Sequence, residues 1–307
     1  MSEAEPPAIN AHEDVALFRA AVQFAAAESG FVPRLIEKDY FCTVLLAYLS
    51  KEAGDELVFK GGTCLTKVHS ELYRLSEDLD YTMPVAVDAA RTERSRRVEP
   101  VKVALGKLNR AVPVFRVTES LRGANKSTQY LAAVGYSSML GQQEETIKIE
   151  VSLCEPLLTP VIDGSARTML QNPLTNNPMV TPITVRCIEK VEAFAEKFRA
   201  ALSRREPAIR DFFDIDHAVR KGGLRSDEAG FIQQVGQKLA IPGNDPVDVS
   251  ERRLDALRRQ VEPQLRPVLR DRDFAEFDLD RAFEIGTRMA IAIERRRSPT
   301  SVAKGSS

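Results

Sequence analysis

The sequence has no tryptophan, only 3 histidines and only 4 cysteines in 307 residues. Cys42, Cys64, Cys154 and Cys187 are scattered, each in an apolar neighbourhood, and no pair has Cys-x-x-Cys spacing. That pattern reads as buried, reduced thiols rather than a disulfide framework. His12, His69 and His217 are equally dispersed, so a zinc site of clustered ligands is not expected. Long apolar runs are also missing: the longest, such as Tyr40 to Leu49, fall well short of the ~20 residues a membrane span needs. The start Met1-Ser-Glu-Ala-Glu-Pro-Pro7 is acidic where a signal peptide would be basic. The expected location is the cytoplasm, with no membrane partner. Nor does either sign of charge dominate: the formal net charge is -1 with 28% charged residues. Any nucleic-acid contact therefore has to rest on a local basic surface.

What is present is an ordinary globular composition, 43% hydrophobic, in a chain long enough for one large domain or two modest ones. Residues 1–12 read as a mobile start, although an amphipathic helix pattern already begins near His12 and runs to Ser29, with Gly30 as its stop. Pro33 opens a second helix, which runs to about Ser50. Leu57 to Phe59 is a short strand, Gly61-Gly62 breaks it, and a helix is expected from Thr63 to about Tyr73. A strand follows, beginning at or just before Asp78 and ended by Pro84. Asp88 to Arg110 has a helical pattern interrupted by Pro100. Phe115–Ser120, Gln129–Tyr136 and Thr146–Leu153 are candidate strands, read as antiparallel. The Pro- and Asn-rich stretch Gln171 to Pro182 marks a loop or boundary. Beyond it the pattern is helical: Ile188–Arg205, Ile209–Val219, Ser226–Leu239, Asp248–Val261 and Phe274–Arg297. Residues 298–307 read as a mobile tail.

The chemistry concentrates in Phe59-Lys-Gly-Gly-Thr63 and Ser76-Glu-Asp-Leu-Asp80. Alternate residues of a strand share a face, so Asp78 and Asp80 emerge together while Leu79 faces the core. Paired carboxylates of this kind suit Mg²⁺, which takes oxygen ligands together with substrate phosphates; the same pair alone also describes a solvated strand end. Glycines at 61 and 62 let backbone N–H groups approach phosphate oxygens, and Thr63 serves as a helix N-cap or as a phosphate donor. Gly-Gly-Thr is equally an ordinary strand-to-helix turn, and no Walker loop is present. Together the two segments point to an enzyme that handles nucleoside triphosphates.

The stretch from Phe59-Lys-Gly-Gly-Thr-Cys-Leu-Thr-Lys67 through Arg74-Leu-Ser-Glu-Asp-Leu-Asp-Tyr81 resembles the signature of the AbiEii/MenT toxin family, within the DNA polymerase β-like superfamily of nucleotidyltransferases. Glu37-Lys-Asp-Tyr40 is similar to the helix preceding that signature. Lys197-Phe-Arg-Ala-Ala-Leu-Ser-Arg204 and Arg210-Asp-Phe-Phe-Asp-Ile215 are similar to its later motifs, so the likeness covers roughly residues 31 to 220. The resemblance implies an α+β fold: a polymerase β-like mixed sheet with flanking helices over residues 13–182, then a mostly helical C-terminal domain, 183–297, that completes the active site.

By that resemblance Asp78 and Asp80 are the metal-binding acidic pair, and Gly61, Gly62 and Thr63 hold the triphosphate. In Lys148-Ile-Glu150 the alternation puts Lys148 and Glu150 on one face. Glu150 is then the third carboxylate and Lys148 a phosphate contact, or the two belong to a cross-strand ion pair. The family more often has Asp at the third position. Lys197 is implied as a phosphate ligand and Asp211 as the residue that orients it or the nucleotide, while Arg210 and Asp214 brace the helix. The implied reaction transfers a nucleoside monophosphate from an NTP to RNA, the 3′ end of tRNA, with Mg²⁺ or Mn²⁺ as cofactor, and so blocks translation. The implied partners are NTP, RNA and a cognate, AbiEi-like antitoxin. Arg91, Arg94, Arg96 and Arg97, with Arg252, Arg253, Arg258 and Arg259, are candidate RNA-backbone contacts or plain surface charge. Ser76, two residues before Asp78, is a candidate regulatory phosphorylation site or a simple turn former. A kinase-like phosphotransferase and a non-catalytic nucleotide- or RNA-binding module are the alternative readings.

Overall fold

The computed structural model describes residues 9–86, 88–141, 143–153 and 155–297. The expected mobile tail, most of the expected mobile start, and Cys154 lie outside the described residues. His12 lies within them and is tied down, its Nδ1 2.8 Å from the Tyr40 hydroxyl. The chain divides into two compact units, 1–189 and 190–307.

The first unit is built on a seven-stranded mixed sheet in the order β3-β4-β5-β2-β1-β7-β6. Its strands are β1 (Val58–Lys60), β2 (Leu79–Thr82), β3 (Arg116–Ala124), β4 (Gln129–Ser137), β5 (Glu144–Ser152), β6 (Ile162–Ala166) and β7 (Ile183–Cys187). Strands β3, β4 and β5 form an antiparallel meander, as their alternating patterns predict. Two pairings are parallel, β2 with β5 and β1 with β7, and both join segments far apart in the chain. The return of β7 to pair with β1, beside the edge strand β6, carries this unit past residue 182 to Glu189.

Helices α1 (Val15–Ser29), α2 (Pro33–Ala53), α3 (Gly61–Cys64), α4 (Arg91–Arg97) and α5 (Glu99–Ala111) complete the unit. Pro100 lies in the first turn of α5, so it starts that helix rather than interrupting one. Helix α1 ends at Gly30, whose φ of 81° is the left-handed C-cap conformation. Helix α2 is buried on nearly every side, and its rings Tyr40 and Phe41 pack with Phe18, Phe115 and Tyr136. No single helix among the described residues is long and apolar enough to cross a membrane; α1 and α2 together are, but they are bent by 115° and their apolar side chains lie in the core.

Helix α3 is shorter than its sequence suggests. It begins at Gly61, continues as one wide π turn over Leu65–His69, and is over by Ser70. Thr63 is therefore inside the first turn rather than its N-cap, and its hydroxyl donates to the Asp78 carbonyl.

The second unit is all helical: α6 (Lys190–Ser203), α7 (Ile209–Arg220), α8 (Ala229–Leu239), α9 (Glu251–Arg258), α10 (Asp271–Glu276) and α11 (Leu279–Arg297). Phe198, Phe212 and Phe231 fill its core. The buried Lys238 ammonium is neutralised there by Glu192 at 2.6 Å and Glu196 at 3.0 Å.

Candidate active site

Strand pairing decides which side chains meet. Lys60 of β1 lies opposite Asp80 of β2, and Asp80 lies opposite Glu150 of β5. Three adjacent strands thus place Lys60, Asp80 and Glu150 on one rung, and residues on one rung share a face of the sheet. On β5, Ile147, Ile149 and Val151 are buried, while Lys148 is exposed and Glu150 half-buried. Lys148 stands two positions from Glu150 on the rung's face. Neither makes an ion pair among the described residues, so the ion-pair alternative is not what the strand shows. Lys60 itself pairs with Glu155.

Asp78 sits one residue before β2, in extended chain rather than in the strand, because pairing to β1 and β5 starts only at Leu79 and Asp80. Its backbone carbonyl is held by Thr63. Asp78, Asp80 and Glu150 offer oxygen donors of the type a hard divalent cation takes, and all are partly accessible. They are not drawn into one tight cluster. Among the described residues, the one group of three or more His, Cys, Asp or Glu ligand atoms within 4.8 Å of one another is Cys64, His69 and Cys187.

The glycine turn closes on Asp80. Gly61 has a φ of 75°, and a Cβ there would come within 2.1 Å of the Asp80 Oδ2. Only glycine combines that conformation with that approach. A Cβ on Gly62 would meet Arg74 Nη2 at 2.7 Å and Ser76 Oγ at 3.2 Å. Arg74, 2% exposed, is thus a buried guanidinium set against the turn. No spacing argument singled it out, because a lone arginine in a loop has no periodic signature.

Helix α2 supports this arrangement with polar groups that its apolar pattern hides. Lys38 reaches Glu77 at 3.1 Å, and Arg34 bonds Glu77 and Glu145, bracing the segment that carries Asp78. Asp39 pairs with Lys67 at 2.5 Å and also accepts from the Thr168 hydroxyl. The Lys67 ammonium donates in addition to Thr43, so the wide turn after α3 is fastened to α2 by a buried ion pair. Glu37, fully buried, accepts from Ser138 Oγ and the Met139 N–H. The Glu37-Lys-Asp-Tyr40 block therefore consists of tie points, each with its own partner.

The expectation of dispersed thiols and histidines needs correction. Cys64, His69 and Cys187, far apart in sequence, are clustered in space. The thiol of Cys187 is pulled down to about 6, chiefly by its hydrogen bond with Cys64 and also by His69, against burial, which raises it. Among the arginine clusters, Arg91, Arg96, Arg252, Arg258 and Arg259 are exposed while others are engaged within the protein. Arg253 is buried, donating to the carbonyls of Ala201 and Arg204; Arg94 donates to Ala89 and Lys126 carbonyls; Arg258 engages Glu251, Asp255 and Asp280. Arg253 in particular has no surface left to offer RNA.

In the second unit, Lys197 of α6 lies 2.8 Å from Asp211 and 2.9 Å from Asp214, both on α7, and Arg204 approaches Asp211 at 3.4 Å. Asp211 pairs with the ammonium. Asp214 does the same from a fully buried position.

Two hollows among the described residues lie away from these groups. One of about 440 Å³ is lined by Glu52, Arg96 and Lys107 among others, and one of about 180 Å³ by Phe59, Tyr81 and Arg186. The carboxylates stand on the sheet face instead.

Comparison with known proteins agrees with this architecture. No curated protein matches the chain. The crystal structure of JHP933 from Helicobacter pylori is similar in fold, with a TM-score of 0.50 and 16% identity over 87% of this chain and 94% of that one. A second structure, titled "putative nucleotidyltransferase from H. pylori", gives a TM-score of 0.49 and 16% identity over 87% of this chain and 97% of its own. The model of the family described as nucleotidyl transferase AbiEii toxin, type IV toxin–antitoxin system, matches residues 44–285. With the signature turn, the acidic strand and most of the helical unit inside that match, the chain belongs to the AbiEii family of nucleotidyl transferase toxins.

Proposed function

We propose that this toxin transfers a nucleoside monophosphate from an NTP to RNA, at the 3′ end of tRNA, and so stops translation in the cytoplasm. The observation that carries the reading is the Lys60–Asp80–Glu150 rung lying against the Gly61 turn, which sets carboxylates directly beside a Gly-Gly turn at the start of a helix. The donor set fits a hard cation: all oxygens, partly accessible, flanked by a turn without Cβ atoms. Asp78, Asp80 and Glu150 would hold Mg²⁺ or Mn²⁺, which when bound neutralises triphosphate charge and activates a hydroxyl.

The chain's own residues supply the rest. Gly61, Gly62 and Thr63 bind the triphosphate, with the guanidinium of Arg74 fixing the turn from behind. Lys148 neutralises charge on the phosphates from an exposed position midway along β5. Within the helical unit, Asp211 and Asp214 hold Lys197 in its rotamer, an ordered ammonium suited to a phosphate. The acceptor hydroxyl attacks the α-phosphorus in line, its proton leaves to solvent, and the bond to pyrophosphate breaks. An AbiEi-like antitoxin is the cognate partner, and phosphorylation of Ser76 would place a dianion beside the Gly62 turn and shut the reaction off.

Incubating the protein with total tRNA, Mg²⁺ and each α-labelled NTP tests the reading. Label retained on tRNA, and absent with Asp80→Asn, supports it. Label passed only from the γ position to a protein or metabolite sinks it in favour of a kinase.

A further inference from the structure

We infer that Cys64, His69 and Cys187 form a binding site for a thiophilic divalent cation, Zn²⁺, which ties the signature turn to strand β7. Their ligand atoms all lie within 4.8 Å of one another. Donors around a tetrahedral zinc stand roughly 3.5–3.8 Å apart, given bonds of about 2.3 Å to sulfur and about 2.0 Å to nitrogen. A contraction of at most about 1.3 Å closes the site.

The surroundings are arranged for ligation. His69 Nε2 is 2.8 Å from the Ile188 carbonyl. A carbonyl only accepts, so Nε2 carries the proton and Nδ1 keeps the lone pair a metal needs. Donation of the second ring nitrogen to a backbone carbonyl is how metal-binding histidines are usually oriented. Gly164 of β6 leaves room at the sulfur, since a Cβ there would stand 2.7 Å from Cys187 Sγ. Both cysteines are fully buried, where an unbalanced charge is expensive. Two thiolates, a neutral imidazole and Zn²⁺ sum to zero, and a water completes the tetrahedron.

Three separate segments would be joined. Cys64 ends α3 directly after the glycine turn, His69 ends the wide turn that follows, and Cys187 ends β7 beside Phe59 of β1. The soft donors also sort this site from the carboxylate rung: thiolates and imidazole select zinc, carboxylates select magnesium. The inference does not depend on which RNA the enzyme modifies.

The test uses the full chain, purified reduced, stripped with a chelator and reloaded with Zn²⁺ or Co²⁺ alone. One zinc retained per chain, a thiolate-to-cobalt charge-transfer band, and a melting temperature raised by about 5 °C with zinc are expected. A Cys64→Ser/Cys187→Ser double variant should lose the zinc and the band. Cys42→Ser should keep both, because that thiol lies elsewhere, donating to the Glu77 carbonyl. Should the double variant fail to fold, His69→Asn should weaken zinc binding at least about tenfold. Wild-type protein that retains no zinc, cobalt spectra without the band, His69→Asn with unchanged affinity, or a Cys64–Cys187 disulfide forming in place of metal loading would each overturn the inference.

Discussion

Asp80 and Glu150 are partners on one rung of a parallel strand pair, although 70 positions separate them in the chain. Carboxylates at that spacing repel each other unless something positive lies between or beside them. Lys60, on the same rung from the other side, is the nearest strand partner of Asp80.

Removing charge from this rung should stop chemistry without unfolding the sheet. Asp80→Asn is expected to lower nucleotide transfer on the order of 10³-fold, the loss of several kcal/mol of transition-state stabilisation. Glu150→Gln should fall between it and wild type. Transfer assays paired with thermal melts check this; an active Asp80→Asn protein would remove Asp80 from the reaction.

Gly61→Ala forces a side chain into a φ of 75° and into the Asp80 carboxylate. Strain of about 1–3 kcal/mol is expected, together with a loss of transfer out of proportion to the loss in stability. Urea midpoints and initial rates on the same preparation separate the two effects.

The Asp39–Lys67 pair is buried on both sides. Lys67→Met leaves Asp39 charged without its cation and should destabilise the first unit by about 3–5 kcal/mol. An Asp39→Asn/Lys67→Met double variant should recover part of that, which a denaturation cycle measures.

Acidification should weaken the helical unit through His217. Burial, the larger cause, lowers its pKa from 6.5, with Asp214 opposing. Below about pH 6.5 the unfolded chain therefore binds a proton that the folded one refuses, and stability falls as pH drops from there toward the folded pKa. Denaturant midpoints at about pH 7.5 and about pH 5.5 should differ, and less so in His217→Phe. Equal pH slopes for the two proteins would contradict the assignment.

Ser76→Glu should abolish transfer while leaving the melt unchanged, because Ser76 Oγ stands beside the Gly62 turn. Full activity in that variant would make Ser76 a turn residue and nothing more.

The sequence is a good guide where periodicity or turn chemistry is local. The meander β3–β5, most helices of the second unit and the glycine turn follow from alternation, 3.6-residue spacing and breakers, whereas the single helix expected over Phe274–Arg297 is two, Asp271–Glu276 and Leu279–Arg297. Parallel pairing leaves no such trace: β1 and β2 are 3 and 4 residues long, and nothing local says that Asp80 will lie beside Glu150. Strands β6 and β7 escape notice because a Pro- and Asn-rich loop precedes β7 and because Ile162–Ala166 has no hydrophobic alternation. The cluster of Cys64, His69 and Cys187 is hidden for the same reason, since β7 brings its second cysteine back across more than half the first unit.

The long excursion between β2 and β5 sets an order of assembly. While the ribosome has delivered only the first half of the first unit, the glycine turn and both aspartates already exist, yet Glu150 has not been made. The pairing of Asp80 with Glu150 therefore forms only after β5 has been synthesised and has slotted in beside β2.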